Sequence, residues 1–179
     1  MKITTWRNAA FFIAIFTTFA PMAATAATIS SPVLLTSAGT PLYLYIPSIK
    51  LLSPVQGVGV NERGNMDVPG EYTNNVGWYE RGVTPGNVGT AVIDAHNTAA
   101  FKKLDQVSVG AEIYVYTSAG EWLHFVTTNA QTYSMDTLSP ATLFAPANAP
   151  QINLITCAGL SLGNGEATHR LIVSARLAA

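Results

Sequence analysis

The chain has 179 residues, of which 49% are hydrophobic and 11% are charged, and its formal net charge is −1. This length is enough for one sizeable hydrophobic core and short for two domains. The charged fraction is well below the roughly one quarter that is usual for soluble proteins. The chain has no basic run and no interleaving of aromatic with basic residues, which excludes nucleic acid as a partner.

An export signal is predicted at the N-terminus. Lys2 and Arg7 precede an apolar stretch, residues 9–20, which has the length of the hydrophobic part of a signal peptide and is short for a membrane-spanning helix. The small residues 24–26 (Ala-Thr-Ala) then form a candidate cleavage site. Residues 1–26 are therefore interpreted as a signal peptide or a membrane anchor.

The remaining chain is predicted to be one exported domain, residues 42–179, joined by a flexible tether, residues 27–41. Removing the signal takes away two of nine basic residues and none of ten acidic ones, so the exported part has a net charge of −3. Its only cysteine, Cys157, cannot form an internal disulfide. A free thiol in an oxidising compartment is a liability unless it is buried or used.

Short apolar runs separated by turn residues predict an all-β domain. Their number, roughly seven, favours a single closed or nearly closed β-barrel with short helical insertions. The predicted strands occupy residues 42–46, 55–60, 88–94, 111–117, 121–128, 151–157 and 170–177. Short helices are predicted over residues 99–104 and 140–144.

Cys157 and Arg170 are candidates for thiolate chemistry. Cys157 ends the β-branched run 151–157 and is expected to enter a loop, and Arg170 opens the next predicted strand. A nearby cation favours the nucleophilic thiolate over the thiol. Taken singly, a cysteine is more often a small buried hydrophobe, and an arginine more often a surface ion-pair partner.

Such a site also needs an acid–base group, and the chain has three histidines. His124 lies inside a predicted strand and is interpreted as a half-exposed sheet residue. His169 adjoins Arg170, and neighbouring strand residues point to opposite faces, so His169 is expected to face away from the thiol. His96 ends a buried strand and begins a loop, where catalytic side chains are usually presented.

Motifs in a characteristic order connect these candidates over residues 42–177. They are Tyr45-Ile-Pro-Ser-Ile49, Gly77-Trp-Tyr79, Pro85-Gly86, Ala91-Val-Ile-Asp-Ala-His96, Phe101 with Leu104, Leu154-Ile-Thr-Cys157 and Arg170-Leu-Ile-Val173. The series resembles the sortases, the cysteine transpeptidases of bacterial cell surfaces, and within them most the class F type. Two positions depart from the pattern: Ala95 replaces the glycine common before the histidine, and Asn153 replaces the first threonine of Thr-Leu-x-Thr-Cys.

The resemblance implies a catalytic set of Cys157, His96 and Arg170, with no metal and no cofactor. Cys157 would form a thioacyl enzyme, His96 would move protons, and Arg170 would donate hydrogen bonds to the substrate carbonyl or oxyanion. Thr156 would line the substrate groove. Asp94, two residues before His96 on the same strand face, is a possible modulator that would raise the histidine pKa.

The implied substrates are secreted proteins with a C-terminal sorting motif of the Leu-Pro-x-Thr-Gly kind. The acyl group would pass to an amine on the cell wall or on a pilin lysine, outside the cytoplasmic membrane. Two other interpretations remain open from the residues alone. An exported cysteine hydrolase would use the same thiol and release the acid to water, and a secreted β-barrel binding module would hold an inert, buried Cys157.

Overall fold

The computed structural model describes residues 38–162 and 166–178, and the predicted signal peptide lies outside these ranges. The described residues form eight strands: β1 (Pro41–Ile46), β2 (Leu51–Val58), β3 (Val76–Tyr79), β4 (Gly89–Asp94), β5 (Glu112–Thr117), β6 (Trp122–Ser134), β7 (Pro150–Ser161) and β8 (Ala167–Leu177). They close into a barrel in the order β1-β2-β3-β4-β7-β8-β6-β5. One α-helical turn, α1 (Pro140–Leu143), and two 3₁₀ turns (Pro47–Ile49 and Leu104–Gln106) interrupt the strands. The predicted all-β barrel with short helical insertions is confirmed.

Two elements differ from the sequence-based expectation. Strand β3, which the sequence analysis did not predict, has only four residues and pairs in parallel with β2. The expected helix over residues 99–104 does not form; backbone bonds such as that from Leu104 N to Phe101 O (3.0 Å) span three residues, and the segment is a series of turns. Phe101 and Leu104 are nevertheless both buried, so their apolar spacing indicated a common buried side correctly.

The expectation that Cys157 lies in a loop is wrong, because β7 continues past it to Ser161. The pairing of β7 with β8 shifts register only after Ala158. Gly159 allows this irregularity: its φ of +74° lies in the left-handed region, and an added Cβ would lie 2.5 Å from Thr168 Oγ1. The thiol is therefore carried by a paired strand rather than by a loop.

The main core fills the barrel with alternate side chains from all eight strands. Its largest fully buried members include Phe101, Phe125, Leu44 and Leu154. Trp78 is also buried, and its indole Nε1 donates to Val83 O at 3.0 Å. Within the described ranges, no helix has both the length and the apolar character that crossing a bilayer requires.

Candidate active site

The two faces of β7 carry different sets of side chains, one belonging to the main core and the other to the candidate site. Ile152 and Leu154 point into the barrel and are fully buried in the main core. Ile155 instead packs with Val92 and Ile172 in a second cluster, which we call the outer apolar cluster. Because strand side chains alternate, Cys157 shares the outer face with Ile155.

Arg170 reaches the same face from the next strand. In the antiparallel pairing of β7 with β8, Cys157 lies directly opposite Arg170. Residues directly opposite each other in such a pair have side chains on the same face, within contact range. The structure thus brings together two residues that are separated by twelve positions in the sequence.

His96 follows β4, which neighbours β7 on the side opposite to β8. Strand β4 runs parallel to β7, with Asp94 paired to Ile155, and Ala95 N extends the ladder by donating to Ile155 O at 3.3 Å. Two further residues along each chain lead to His96 and Cys157, which places the two at the same level of the sheet. The His96 carbonyl accepts bonds from Ala99 N and Phe101 N, so a compact turn begins at this residue.

Thr156 has a contact that the sequence analysis did not foresee. Its side chain is buried, and its hydroxyl donates to Ala95 O at 2.7 Å. This bond ties the backbone just before His96 to the strand that carries Cys157. The expected contact of Thr156 with substrate stays a prediction, whereas the observed contact of its hydroxyl is with the backbone of β4's extension at Ala95.

The electrostatic environment of Cys157 has opposing contributions. Burial raises the pKa of the thiol, the positive charge of Arg170 lowers it, and the negative charge of Asp94 raises it. Burial dominates, so the resting group is mainly a thiol at neutral pH. Arg170 is the neighbour that favours the thiolate.

Asp94 is itself strongly perturbed. Burial raises its pKa to about 7, although the charge of Arg170 and a hydrogen bond from the Ala95 backbone act in the opposite direction. The carboxyl group of Asp94 interacts electrostatically with the guanidinium of Arg170 and with the thiol of Cys157. The sequence-based hypothesis that Asp94 raises the pKa of His96 stays a prediction.

The guanidinium of Arg170 is held by its own strand. Nη1 donates to Ala167 O at 3.3 Å and to His169 O at 3.1 Å. The neighbouring His169 pairs with Ala158 rather than with Cys157, and its Nδ1 lies 2.8 Å from Thr168 Oγ1. His169 and Arg170 are consecutive residues of β8 and therefore lie on opposite faces of the sheet, as strand alternation predicted.

The third histidine lies elsewhere on the barrel. His124 is on β6, where it pairs with Tyr114 of β5 and stacks on its ring with a centroid distance of 4.7 Å. Its Nε2 lies 3.7 Å from Glu112 Oε1. This placement agrees with the interpretation of His124 as a half-exposed sheet residue.

The outer apolar cluster is a feature that the sequence analysis missed. It lies beside Cys157 and is lined by side chains of the β6–β7 connection and of β3 and β6, among them Leu138, Leu143, Tyr79 and Tyr133. Asn153 fastens this connection, since its Nδ2 donates to Leu143 O at 2.8 Å and its Oδ1 accepts from Ser174 Oγ at 2.7 Å. The signal in the sequence was Ile155, an apolar residue on the face of β7 that also carries the polar Asn153.

A comparison with protein families decides the identity. The sequence profile of the sortase domain matches residues 44–178, three quarters of the chain. The chain belongs to the sortase family. Sortases are cysteine transpeptidases that act outside the cytoplasm, and the chain is an enzyme of this kind. No curated protein matches it.

Solved sortase structures share its fold. A lid mutant of sortase A from Corynebacterium diphtheriae is 25% identical, with a TM-score of 0.61 over 78% of this chain and 70% of that one. Sortase C from Clostridium perfringens SM101 is 22% identical, with a TM-score of 0.60 over 79% of this chain and 71% of that one. For sortase C1 of GBS pilus island 1 the identity is 24%, the TM-score 0.60, and the coverage 76% and 64%. The expected affiliation with class F stays a prediction.

Proposed function

We propose that Cys157, His96 and Arg170 form the catalytic set of this sortase. The observation that carries the proposal is their common position: Cys157 is paired with Arg170 across β7 and β8, and His96 leaves β4 at the same level. The set requires no metal and no cofactor, because thiol, imidazole and guanidinium supply the nucleophile, the proton carrier and the hydrogen-bond donor.

Acylation begins at the thiol. The Cys157 proton passes to neutral His96, and the thiolate attacks the scissile carbonyl carbon to form a tetrahedral oxyanion. Arg170 donates hydrogen bonds to that oxyanion. The imidazolium then protonates the leaving amine, the C–N bond breaks, and a thioester between the acyl group and Cys157 remains.

The acyl group is proposed to come from a secreted protein with a C-terminal sorting motif of the Leu-Pro-x-Thr-Gly kind. The partly buried side chains that pack on the outer apolar cluster, among them Tyr133, Leu138 and Leu143, support this choice because they offer apolar surface on the Cys157 side of the sheet for the leucine and proline side chains. Cleavage after threonine would leave the threonyl acyl group on the thiol.

The acceptor is proposed to be a primary amine of the cell wall or of a pilin lysine. The enzyme would then act outside the cytoplasmic membrane, released after residue 26 or tethered by the N-terminal segment. The basic residues Lys2 and Arg7, followed by the apolar stretch 9–20, support export.

An amine-dependent assay tests this function against the hydrolase alternative. The wild-type protein is incubated with a Leu-Pro-x-Thr-Gly peptide, with and without triglycine, and the products are separated by liquid chromatography and mass spectrometry. We expect a ligated peptide that requires both triglycine and Cys157, with none formed by Cys157→Ala. Cleavage to the free acid with no ligated product at any triglycine concentration would instead identify a hydrolase.

A further inference from the structure

One outer face of the barrel is built from aromatic side chains. Strand β1 pairs with β5, and β5 pairs with β6, so the three strands are neighbours in the sheet. Their register aligns aromatic residues in two rows that run across the strands. One row contains Tyr45, Tyr114 and His124, and the other contains Tyr43, Tyr116 and Trp122. We call this set of residues the aromatic face.

The side chains of the aromatic face point away from the core. The residues that alternate with them on the three strands are fully buried in the main core, namely Leu44, Ile113, Val115 and Phe125. In contrast, the exposed fraction is 44% for Tyr43, 38% for Tyr45 and 52% for Trp122. The outward face of an antiparallel sheet usually carries polar residues. A contiguous exposed patch of large apolar rings instead indicates an interaction surface.

The rings of the aromatic face contact one another. Tyr114 stacks on His124 and on Tyr45, with ring-centroid distances of 4.7 Å and 6.0 Å. The Trp122 ring joins the two rows, since it lies 5.0 Å from Tyr116 and 6.5 Å from Tyr45. Its plane is inclined to theirs by 43° and 71°, so neither neighbour stacks on the indole. Strand spacing makes the aromatic face about 10 Å wide across the strands and about 7 Å long along them.

The polar groups on the aromatic face are neutral. Within the described part of the chain, the Tyr43 and Tyr45 hydroxyls and the Trp122 indole N–H make no hydrogen bond. The aromatic face contains no lysine or arginine, whereas the carboxylates of Glu112 and Glu121 border it on β5 and on the β5–β6 connection. These negative charges repel anionic lipids and phosphate polymers. The ligand that matches this surface is therefore uncharged and rich in hydroxyl groups.

Sugar rings have the chemistry that this surface requires. A pyranose ring carries C–H groups on its faces and hydroxyl groups at its edge. The C–H groups pack on the negative face of an aromatic ring, and the hydroxyl groups bond to phenol, indole and carboxylate groups. Because the aromatic face spans two rows of rings on a sheet, it can contact successive sugars of an extended chain.

We propose that the aromatic face is a glycan-binding site, on which one sugar ring of an extended, neutral polysaccharide stacks on Trp122 and the next contacts Tyr45. The aromatic face is remote from Cys157, because β1 and β5 are separated from β7 by β6 and β8 on one side and by β2, β3 and β4 on the other. The glycan is therefore neither the acyl donor nor the acceptor. It holds the enzyme at a polysaccharide surface while Cys157 stays accessible.

The test is a calorimetric titration of the full-length protein with two neutral β-linked glycans, N-acetylchitohexaose and cellohexaose. We expect at least one of them to bind with a Kd below about 1 mM. Trp122→Ala should weaken that binding about tenfold or more, because it removes a stacked ring. Trp122→Phe retains a ring and should restore the affinity to within about threefold. Tyr72→Ala, at a fully exposed tyrosine between β2 and β3, is the matched control and should bind as the wild type does.

Binding of neither glycan by the wild-type protein, or equal affinities of Trp122→Ala and Tyr72→Ala, would overturn the proposal. So would binding to phosphatidylcholine vesicles that depends on Trp122, or a dimer that Trp122→Ala dissociates, in place of glycan binding. Those results would identify a membrane or a second copy of the chain as the ligand. Circular dichroism confirms that each variant folds. Cys157→Ala should bind the glycan with wild-type affinity, so a failure of the proposed transpeptidase function leaves this test unaffected.

Discussion

The reactivity of Cys157 depends on two charged neighbours with opposite effects. Arg170 lowers the thiol pKa and Asp94 raises it, while burial raises it further. Asp94 has a pKa of about 7, so its carboxyl group becomes negatively charged as the pH rises through neutrality. Protonation or deprotonation of Asp94 therefore changes the pKa of the Cys157 thiol.

Replacing Asp94 by asparagine tests this dependence. Above pH 7 the wild-type carboxylate is an anion that disfavours the thiolate, and asparagine of similar shape removes that charge. The pKa of Cys157 should therefore fall, and the pH profile of iodoacetamide alkylation, followed by intact mass, should move to lower pH. Glu121→Gln, at an exposed acid in the connection between β5 and β6, should leave the profile in place. A profile that moves to higher pH in Asp94→Asn would contradict the account.

Arg170 is expected to act through its geometry as well as its charge. Lysine preserves the charge but replaces a planar set of five donors with one flexible ammonium, so it does not reproduce the rigid fork whose Nη1 is fixed by Ala167 O and His169 O. Arg170→Lys should retain a near-normal alkylation profile of Cys157 and lose about 100- to 1000-fold in peptide turnover.

His169→Ala is the matched control for that experiment, since His169 is adjacent in sequence and pairs with Ala158 instead of Cys157. It should change turnover little, with circular dichroism confirming that both variants fold. If His169→Ala were the crippling change and Arg170→Lys nearly neutral, the assignment of faces on β8 would be wrong.

At the scale of elements, β4 and β7 are joined next to the site by a side chain. The Thr156 hydroxyl bonds to Ala95 O, one residue before His96, and both groups are buried. Thr156→Val keeps the shape and removes the donor, which leaves the carbonyl unsatisfied. We expect a loss of about 1–3 kcal/mol in the free energy of unfolding, measured with urea.

The same variant should also lower turnover, because the backbone that carries His96 loses its attachment to β7. Thr156→Ser retains a hydroxyl and should restore most of the turnover as well as the stability. A Thr156→Val enzyme with wild-type turnover would show that this hydrogen bond does not position His96.

The sequence was informative where the signal is local. Alternating apolar runs predicted the barrel. The pairing of Cys157 with Arg170 agrees with the ordered motifs, whereas the joint catalytic role of His96, Cys157 and Arg170 stays a prediction. Contacts between distant segments were not predictable: Val92, Ile155 and Ile172 form a separate cluster only because the β6–β7 connection covers them. The perturbed pKa of Asp94 likewise depends on burial, which no residue near it in the sequence reveals.

The whole molecule is expected to function outside the cytoplasmic membrane. Residues 1–26 are predicted to direct export, and a sorting signal on a secreted protein can be reached only there. Cell fractionation with N-terminal sequencing checks this. We expect the protein in the membrane or extracellular fraction, either complete or beginning after residue 26. A cytosolic protein with residue 1 intact would contradict the prediction.

The central claim is that Cys157 carries the acyl group between the two halves of the reaction. Intact-mass spectrometry after brief incubation with a Leu-Pro-x-Thr-Gly peptide, followed by proteolytic mapping at acidic pH, measures this directly. The account predicts an adduct with the mass of the acyl fragment ending in threonine, located on Cys157 and removed by hydroxylamine or triglycine. A Cys157→Ala variant that cleaves the peptide at the wild-type rate, with no adduct on the wild-type protein, would contradict it.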